Sequence, residues 1–356
     1  MNKALYYPYI NIPKDNWLTQ SLLYWDELSC IAPSIYFENP NLYEHHIQEY
    51  IREQLVIPLS PQYFINDILG FEENFIDYID NDKLILQIRK DIREGKSMRY
   101  TNIHFEKLGP LCNELIQRNL AFKGKNGWLL VEANLALKFM TYLSLLIGSI
   151  KDYDPITRED ISIYDFHSLS RRCKYQDVID EKTIINEFRP RVDELGIKNS
   201  MTNTRDKILT NLLPSPNMNI SAMNILRFKE KNRDSLVSFR EYVEKFLIEY
   251  ESTEDSLKAR LFVDFIYKSK NMKDEIINDM NKFGWYNFDF FDFGLFGLDI
   301  YSTFSAYQEF NIKNMGVALT SFGITVFKGL KSNKNRIRDL NKKPMAYVVN
   351  SNKKFK

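Results

Sequence analysis

Residues 4–33, with the sequence ALYYPYINIPKDNWLTQSLLYWDELSCIAP, decide the fold of the N-terminal part of the chain. The segment Ala4–Ile10 is largely apolar and favours extended structure, which predicts a buried strand. Asp15 is placed to cap a helix. That helix is predicted from apolar residues spaced by four, three and three positions: Leu18, Leu22, Trp25 and Leu28. The apolar run Cys30–Ala32 predicts a second strand, so the stretch has the length of one βαβ unit in a small parallel sheet.

Residues 103–147 predict a helix, a hairpin and a second helix in that order. The strand candidates are Ala121–Lys123 and Trp128–Val131, and the glycines between them, Gly124 and Gly127, can supply the positive φ values of a hairpin turn. A mostly apolar helix is predicted from Asn134 to Ile147. The order resembles a winged-helix element, and one interpretation is DNA binding. The other is a hairpin that covers a core helix, and the apolar character of residues 128–150 favours it.

The rest of the chain predicts a connector and a helical region. Residues 151–219 are polar and interrupted by prolines, as in a connector with one or two short helices. Ser221 is expected to cap a long helix, and a second helix through Leu257–Tyr267 is expected to pack antiparallel to it. The first helix has an apolar face at steps of three and four: Leu236, Phe239, Val243, Phe246 and Tyr250.

The expected fold class is therefore α+β and mainly helical. Its parts are a small N-terminal βαβ-containing sheet, a winged-helix-like hairpin element and a C-terminal antiparallel helical region. The predicted division is an N-terminal α/β region at 1–150, a connector at 151–219, and a C-terminal helical region with a basic tail at 220–356.

Composition excludes several classes of protein. The chain has 356 residues, of which 44% are hydrophobic and 14% aromatic, so it is long and apolar enough to bury a large core. This excludes a disordered tail protein and a collagen-like repeat. The three cysteines are widely spaced and odd in number, which indicates neither a disulfide framework nor a cysteine zinc site. We recognise no signal peptide and no apolar run of about 18 residues, so we expect a cytoplasmic protein without a transmembrane segment.

The sequence lacks the motifs of several common enzyme classes. It contains no phosphate-binding loop, dinucleotide turn, nucleophile elbow, HExxH or CxxC, so we expect no cofactor and assign no catalytic residue. Glu94-Gly-Lys96 has the Glu-x-Lys spacing of some nucleases but lies in a polar turn without strand character. His45, His46 and Glu49 are weak candidates for metal ligands, because residues three and four apart share a helix face. A solvent-facing helix gives the same pattern, so we expect no metal.

Charge is distributed unevenly along the chain. Residues 328–356 hold ten of the 48 Lys and Arg residues but one of the 47 acids. The candidates for contact with an anion or a nucleic acid are Arg336, Arg338, Lys342 and Lys343. Alternatively, the tail folds back on the acidic body of its own chain. The apolar, strand-like segment Pro344–Val349 favours this second interpretation, because a docked segment would bury it.

An aromatic stretch precedes this tail. Residues 283–310 are rich in Phe, Tyr and Trp, but residues 285–310 contain several acids and neither Lys nor Arg. Base stacking normally combines aromatic side chains with basic ones. We therefore expect a packed core or a partner-binding surface in this stretch.

Several strings together resemble an uncharacterised family of bacterial proteins, often found near mobile elements and antiviral defence genes. They are Ala4–Pro8, Trp17–Leu18, Leu22–Asp26, Ile31–Pro33, Trp128–Val131, Phe139–Leu143, Leu226–Leu236 and Phe239–Arg240. The resemblance implies a bacterial, cytoplasmic and accessory role, and defence is implied by genomic company alone. It brings no catalytic residues.

Our first hypothesis is a non-enzymatic accessory component of a bacterial antiviral (phage) defence or conflict module. It would act through protein–protein interaction, with a partner encoded by a neighbouring gene. The alternatives are a nuclease or toxin effector with an unrecognised active site, and a nucleic-acid-binding protein that uses the basic C-terminal tail.

Overall fold

The computed structural model describes residues 2–159, 164–179, 182–188, 200–216, 220–282, 339–340 and 342–355. The chain forms two compact units. The first contains residues 1–209 and 218–226, and the second contains residues 210–217 and 227–356.

The described residues are mainly helical, with three small sheets. The strands are β1 (Lys3–Tyr6), β2 (Glu27–Ile31), β3 (Val56–Leu59), β4 (Ile68–Leu69), β5 (Tyr100–His104), β6 (Ala121–Lys123), β7 (Trp128–Glu132), β8 (Asp154–Ile156), β9 (Lys174–Ile179) and β10 (Lys182–Glu187). The α-helices are α1 (Asn16–Tyr24), α2 (Ile35–Glu38), α3 (His45–Arg52), α4 (Gln62–Ile65), α5 (Phe71–Asn81), α6 (Lys83–Arg93), α7 (Phe105–Leu108), α8 (Leu111–Gln117), α9 (Ala133–Lys151), α10 (Tyr164–Ser170), α11 (Ser200–Leu212), α12 (Ala222–Lys231), α13 (Arg233–Ser252), α14 (Asp255–Lys282) and α15 (Pro344–Phe355).

The first unit begins with a parallel sheet of order β3-β2-β1-β8. The predicted βαβ unit is confirmed, because β1 and β2 pair in parallel through α1, with Leu5 opposite Ser29. The Asp15 side chain accepts a hydrogen bond from the Leu18 amide at 3.3 Å and caps α1 as predicted. The helix ends at Tyr24, however, so Trp25 and Leu28 lie outside it, and Leu28 belongs to β2. Both side chains are nevertheless buried, which explains why their spacing matched a helix.

Two antiparallel sheets complete this unit, in the orders β5-β7-β6 and β10-β9-β4. The predicted hairpin is formed by β6 and β7. Its turn uses Asn126 and Gly127, which have φ values of 53° and 80°. A Cβ atom at Gly127 would lie 2.8 Å from His104 Nε2, so this position requires glycine for both its backbone angle and its space.

The core of the first unit is built around α9. Most of its residues from Leu135 to Gly148 are buried, on all sides of the helix, because its sequence is apolar almost all round. Phe71 and Phe75 of α5 stack against Tyr142 of α9, with ring centroids 5.5 and 5.3 Å apart. Among the described residues, α9 is the one helix long and apolar enough to cross a membrane, and it is mostly buried inside the unit.

The connector predicted at 151–219 differs from what the structure contains. Residues 151–209 lie in the first unit, and β8 pairs with β1 at the edge of the parallel sheet, with Ala4 opposite Asp154. The segment also contains β9, β10 and the helices α10 and α11. The polar composition and Asp154-Pro155 gave no indication of β8. A three-residue edge strand tolerates proline, and it is too short to show a strand pattern.

The second unit is helical. The predicted long helix is two helices, α12 and α13, which meet at Asn232. Ser221 precedes α12, and its hydroxyl accepts from the Asn224 amide at 3.4 Å. The helices α13 and α14 pack antiparallel. Tyr242, early in α13, contacts Phe265, whereas Tyr250, later in α13, contacts the earlier residue Lys258 of α14.

The apolar tail segment is a helix, which corrects the strand expected at Pro344–Val349. Residues Met345–Val349 of α15 are at most 2% exposed, and Tyr347 stacks on Phe239 of α13 with centroids 5.9 Å apart. Their β-branched and aromatic composition suggested a strand, but burial against α13 and α14 determines the helical conformation.

Candidate protein-interaction surface

One face of the β5-β7-β6 sheet carries large apolar side chains that no other part of the described chain covers. Tyr100, Phe122 and Leu130 are 36%, 42% and 39% exposed, and we call the face that holds them the outer face. Phe122 lies directly opposite Leu130 across the hairpin. Tyr100 and Phe122 meet edge to face, with ring centroids 5.5 Å apart. The three side chains therefore form one connected patch.

Alternation along the strands explains why this patch exists. The opposite face of the same sheet presents Ile103, Leu129 and Val131, which are buried in the core of the first unit. Because successive side chains of a strand point to opposite faces, their neighbours Asn102 and Leu130 must point outward. Burial of the inner face thus fixes the register of the sheet. With this register, the apolar residues of the outer face remain exposed to solvent.

Exposed basic residues lie at the ends of these strands: Arg99 precedes β5, Lys123 ends β6 and Lys125 lies in the hairpin turn. Residues 121–131 contain no acid. An apolar centre with a charged rim is the usual arrangement of a protein–protein interface. The sign of the rim favours a partner whose contacting surface is acidic.

The helix α8 lies on the other side of this sheet and has an acidic environment. Its exposed residues include Asn113 and Gln117. The pKa of Glu72 on the neighbouring α5 is raised, first by burial and then by the negative charges of Glu114 and Glu73. Glu114 is paired with Arg118 at 2.6 Å, so Glu72 and Glu73 supply most of the negative charge that would repel the phosphates of a nucleic acid near α8.

The histidine cluster has structural roles in the first unit. His46 Nε2 lies 2.9 Å from the Ile12 carbonyl, and Glu49 accepts from the Ala222 amide at 2.8 Å. His45 is exposed on α3. The three candidate ligands therefore serve different neighbours, and the described residues contain no group of three or more potential metal ligands.

The basic candidates of the tail fall into two groups. Lys342 is exposed, and Lys343 Nζ lies 3.7 Å from a carboxylate oxygen of Asp279 on α14. This ion pair supports a tail that folds back on its own unit. Arg336 and Arg338 lie outside the described residues, as does the aromatic stretch 283–310.

Sequence reasoning located the strands of this surface but not the surface itself. Ala121–Lys123 and Trp128–Val131 were expected as a hairpin, whereas Tyr100–His104 was not assigned to a strand. The sequence signal for the outer face is the alternation at Phe122 and Leu130. The same alternation is equally consistent with a sheet whose two faces are both covered.

Comparisons with known proteins add no relative. The chain matches no family model, and neither a curated protein nor a solved structure is similar to it. The function must therefore be argued from the site.

Proposed function

We propose that the protein is a non-enzymatic accessory component of a bacterial antiviral defence or conflict module that acts by binding a partner protein in the cytoplasm. The observation that carries the binding part is the outer face, where Tyr100, Phe122 and Leu130 remain exposed. Contiguous exposed apolar side chains with a polar rim mark interaction sites in soluble proteins. The defence part rests on the resemblance of sequence strings alone.

We infer further that residues 103–147 form a winged-helix-like element. The order α8, β6, β7, α9 supports this inference, because a helix, a hairpin and a second helix follow one another. In such an element α8 would be the helix that enters a DNA groove. The acids Glu72 and Glu73 near it favour a role other than DNA reading.

The composition of the outer face favours protein over single-stranded nucleic acid. Base stacking needs aromatic faces that are free to receive a base. Tyr100 and Phe122 are instead packed edge to face, at an angle of 72° between the rings. The aliphatic Leu130 completes the patch. The complementary partner therefore presents apolar side chains flanked by Asp or Glu.

The binding proposal is tested with the protein encoded by a neighbouring gene as the partner. The double variant Phe122→Ser/Leu130→Ser removes two apolar side chains from the outer face. A fully exposed side chain of this kind gains about 1.5–3 kcal/mol on burial, and these two are about 40% exposed, so the pair loses about 1.2–2.4 kcal/mol and the affinity should fall roughly tenfold or more. Isothermal titration calorimetry or surface plasmon resonance measures the change.

A control removes two apolar side chains that are even more exposed elsewhere. Val263 and Tyr267 on α14 are 64% and 66% exposed, so Val263→Ser/Tyr267→Ser should leave the affinity unchanged. Circular dichroism confirms that both double variants are folded. Equal affinities of the two variants for the partner would refute the assignment of the outer face.

The basic rim gives a separate test of the partner's charge. The double variant Lys123→Glu/Lys125→Glu should slow association and reverse its dependence on salt, because rim charges mainly steer encounter. An association rate that rises in this variant would show that the partner surface is basic.

The defence proposal is tested by phage challenge of cells that carry the gene with or without its neighbours. Protection should require both the neighbouring gene and an intact outer face, so the Phe122→Ser/Leu130→Ser variant should lose it. Full protection by this variant would separate defence from the outer face and reject the combined proposal.

The basic tail is tested for nucleic-acid binding in the same preparations. If Arg336, Arg338, Lys342 and Lys343 each contacted a phosphate of duplex DNA, the logarithm of the affinity would fall with the logarithm of salt at a slope of about −3.6. The Lys343–Asp279 ion pair favours a folded-back tail and hence weak binding. A slope near that value, lost when the four residues are changed to Ala, would favour the nucleic-acid alternative.

A further inference from the structure

The strand β10 (Lys182–Glu187) forms one edge of the sheet β10-β9-β4. All six of its residues are exposed, so neither face of this strand is covered by the described chain. Ile184 and Ile185 point to opposite faces of the sheet and are 43% and 56% exposed. Within the described part of the chain, β10 pairs with β9 alone. Its other side is therefore open to pairing with a further strand.

β10 lacks most of the features that normally protect an edge strand. Proteins block such edges with proline, with bulges or with charged residues. The pairing of β10 with β9 is unbroken along the whole strand, and the strand contains no proline. Its charged residues, Lys182 and Glu187, stand at the two ends, so the segment Thr183–Asn186 between them is uncharged. An edge of this kind is a template for the addition of a strand.

A hydrogen bond of β9 shows which backbone groups of β10 point outward. In an antiparallel sheet, successive residues direct their amide and carbonyl groups to alternate sides of the strand. The Gln176 amide donates to the Asp67 carbonyl, beside β4, at 2.8 Å, so Gln176 faces away from β10. The next residue, Asp177, therefore faces β10, where it lies opposite Ile184. Alternation along β10 then gives the residues whose amide and carbonyl groups point away from β9: Thr183, Ile185 and Glu187.

We propose that β10 pairs antiparallel with β10 of a second copy of the chain, about a two-fold axis at Ile185. In an antiparallel pair, residues that lie opposite each other both direct their backbone groups toward the neighbouring strand or both direct them away. A two-fold axis at Ile185 meets this condition, because it places Ile185 opposite itself and Thr183 opposite Glu187 of the second copy. The outward-directed residues are then all paired, and each pair exchanges both of its N–H···O bonds. An axis at Ile184 would leave Glu187 without a partner in the second β10.

Charge and side-chain type favour a second copy as the partner of this edge. The antiparallel arrangement brings the Lys182 end of each strand to the Glu187 end of the other, so opposite charges meet at both ends of the interface. Ile185 contacts its own counterpart, and apolar β-branched residues form favourable pairs across strands. The edge belongs to a different sheet from the outer face, so this proposal does not depend on the partner protein proposed above.

Sedimentation velocity of the full-length protein, from low micromolar to near-millimolar concentration, measures the dimer. One short strand from each copy makes a small interface, and small interfaces belong to weak and reversible complexes. We therefore expect the monomer to dominate at the lowest concentration and the dimer to increase with concentration. Circular dichroism of each variant described below verifies that the chain remains folded.

Two lysine substitutions test the position of the axis. Ile185→Lys removes the apolar pair on the axis and sets two like charges opposite each other, so the dimer should weaken about tenfold or more. Ile184→Lys is the matched control, because it makes the same change in the next residue of the strand, which lies opposite Asn186 of the second copy and not opposite itself. The control should weaken the dimer much less.

Opposite charges at Thr183 test the register in a way that a loss of folding cannot imitate. Thr183 is exposed in the single chain, so charged side chains are tolerated there. Thr183→Lys sets a lysine opposite Glu187 of the second copy at both ends of the interface, whereas Thr183→Glu sets two glutamates opposite each other. Relative to wild type, the first should dimerise more tightly and the second more weakly, each by about 2- to 30-fold.

A cysteine cross-link detects the pairing even when the dimer is weak. Opposite residues of a hydrogen-bonded antiparallel pair have Cα atoms about 5.5 Å apart, which is within the range of a disulfide. With diamide as the oxidant, Ile185→Cys should therefore give a disulfide-linked dimer, and Ile184→Cys should give much less. The proposal is overturned if the full-length protein remains monomeric over the whole concentration range, if Ile185→Lys leaves the dimer unchanged, or if the two cysteine variants cross-link equally.

Discussion

We expect Asp206 on α11 to lower the free energy of unfolding at neutral pH, and we expect Asp206→Asn to raise it. Its carboxylate accepts from the Trp17 indole at 3.0 Å. Burial raises its pKa from 3.8 to about 6, against the opposing effects of the Trp17 hydrogen bond and of Arg205 and Arg158. The folded state therefore holds the proton more tightly than the unfolded state, and stability contributed by this group falls as pH rises through about 4 to 6.

The magnitude follows from the size of the shift. Each pKa unit corresponds to about 1.4 kcal/mol, so the shift sets an upper limit of about 3 kcal/mol. Because the side chain is largely but not completely buried, solvent screening reduces this to about 1–2 kcal/mol. Asparagine keeps an oxygen that can accept from Trp17 but carries no charge. The free energy of unfolding of Asp206→Asn, relative to wild type, should thus rise by about 1–2 kcal/mol between about pH 4 and pH 8.

Urea unfolding at a series of pH values, followed by tryptophan fluorescence, measures this difference. Asp264→Asn is the control, because Asp264 is exposed and its substitution should change the free energy of unfolding by no more than about 0.5 kcal/mol. A difference between Asp206→Asn and wild type that is flat across the same range would refute the reasoning. A difference that falls with pH would mean that Arg205 and Arg158 outweigh burial.

Three further changes have definite expected outcomes. Tyr347→Ala on the fully buried face of α15 should lower the free energy of unfolding of the second unit by about 3–5 kcal/mol, measured by urea unfolding; an unchanged curve would mean that α15 is not docked. Asp15→Ala should cost about 1 kcal/mol through the lost cap of α1, with Asp15→Ser recovering part of it, and equal stability of both would contradict the capping role. Elemental analysis of the purified protein should find no stoichiometric metal, and a divalent ion lost in His46→Ala would restore the metal hypothesis.

The N-terminal βαβ unit was predictable because its signals are local. Asp15 caps α1 within one turn, and the strands on either side consist mostly of apolar residues. β8 was not predictable, because its three residues form a strand only by pairing with β1, about 150 positions earlier in the sequence. Local pattern carries no information on such distant pairing.

The candidate surface depends on exposure, which sequence does not reveal. Phe122 and Leu130 have the alternation of a covered sheet, and their exposure became evident only from the structure. Lys107 is 3% exposed, although a lysine is expected at the surface from its residue type.

The central claim is that a partner protein covers the outer face, and hydrogen–deuterium exchange tests it most directly. The full-length protein is compared alone and in complex with the neighbouring gene product. We expect slower exchange on binding in residues 99–104 and 121–132, with little change in α8. Protection that falls on α8, or on neither strand segment of a complex that has demonstrably formed, would contradict this claim.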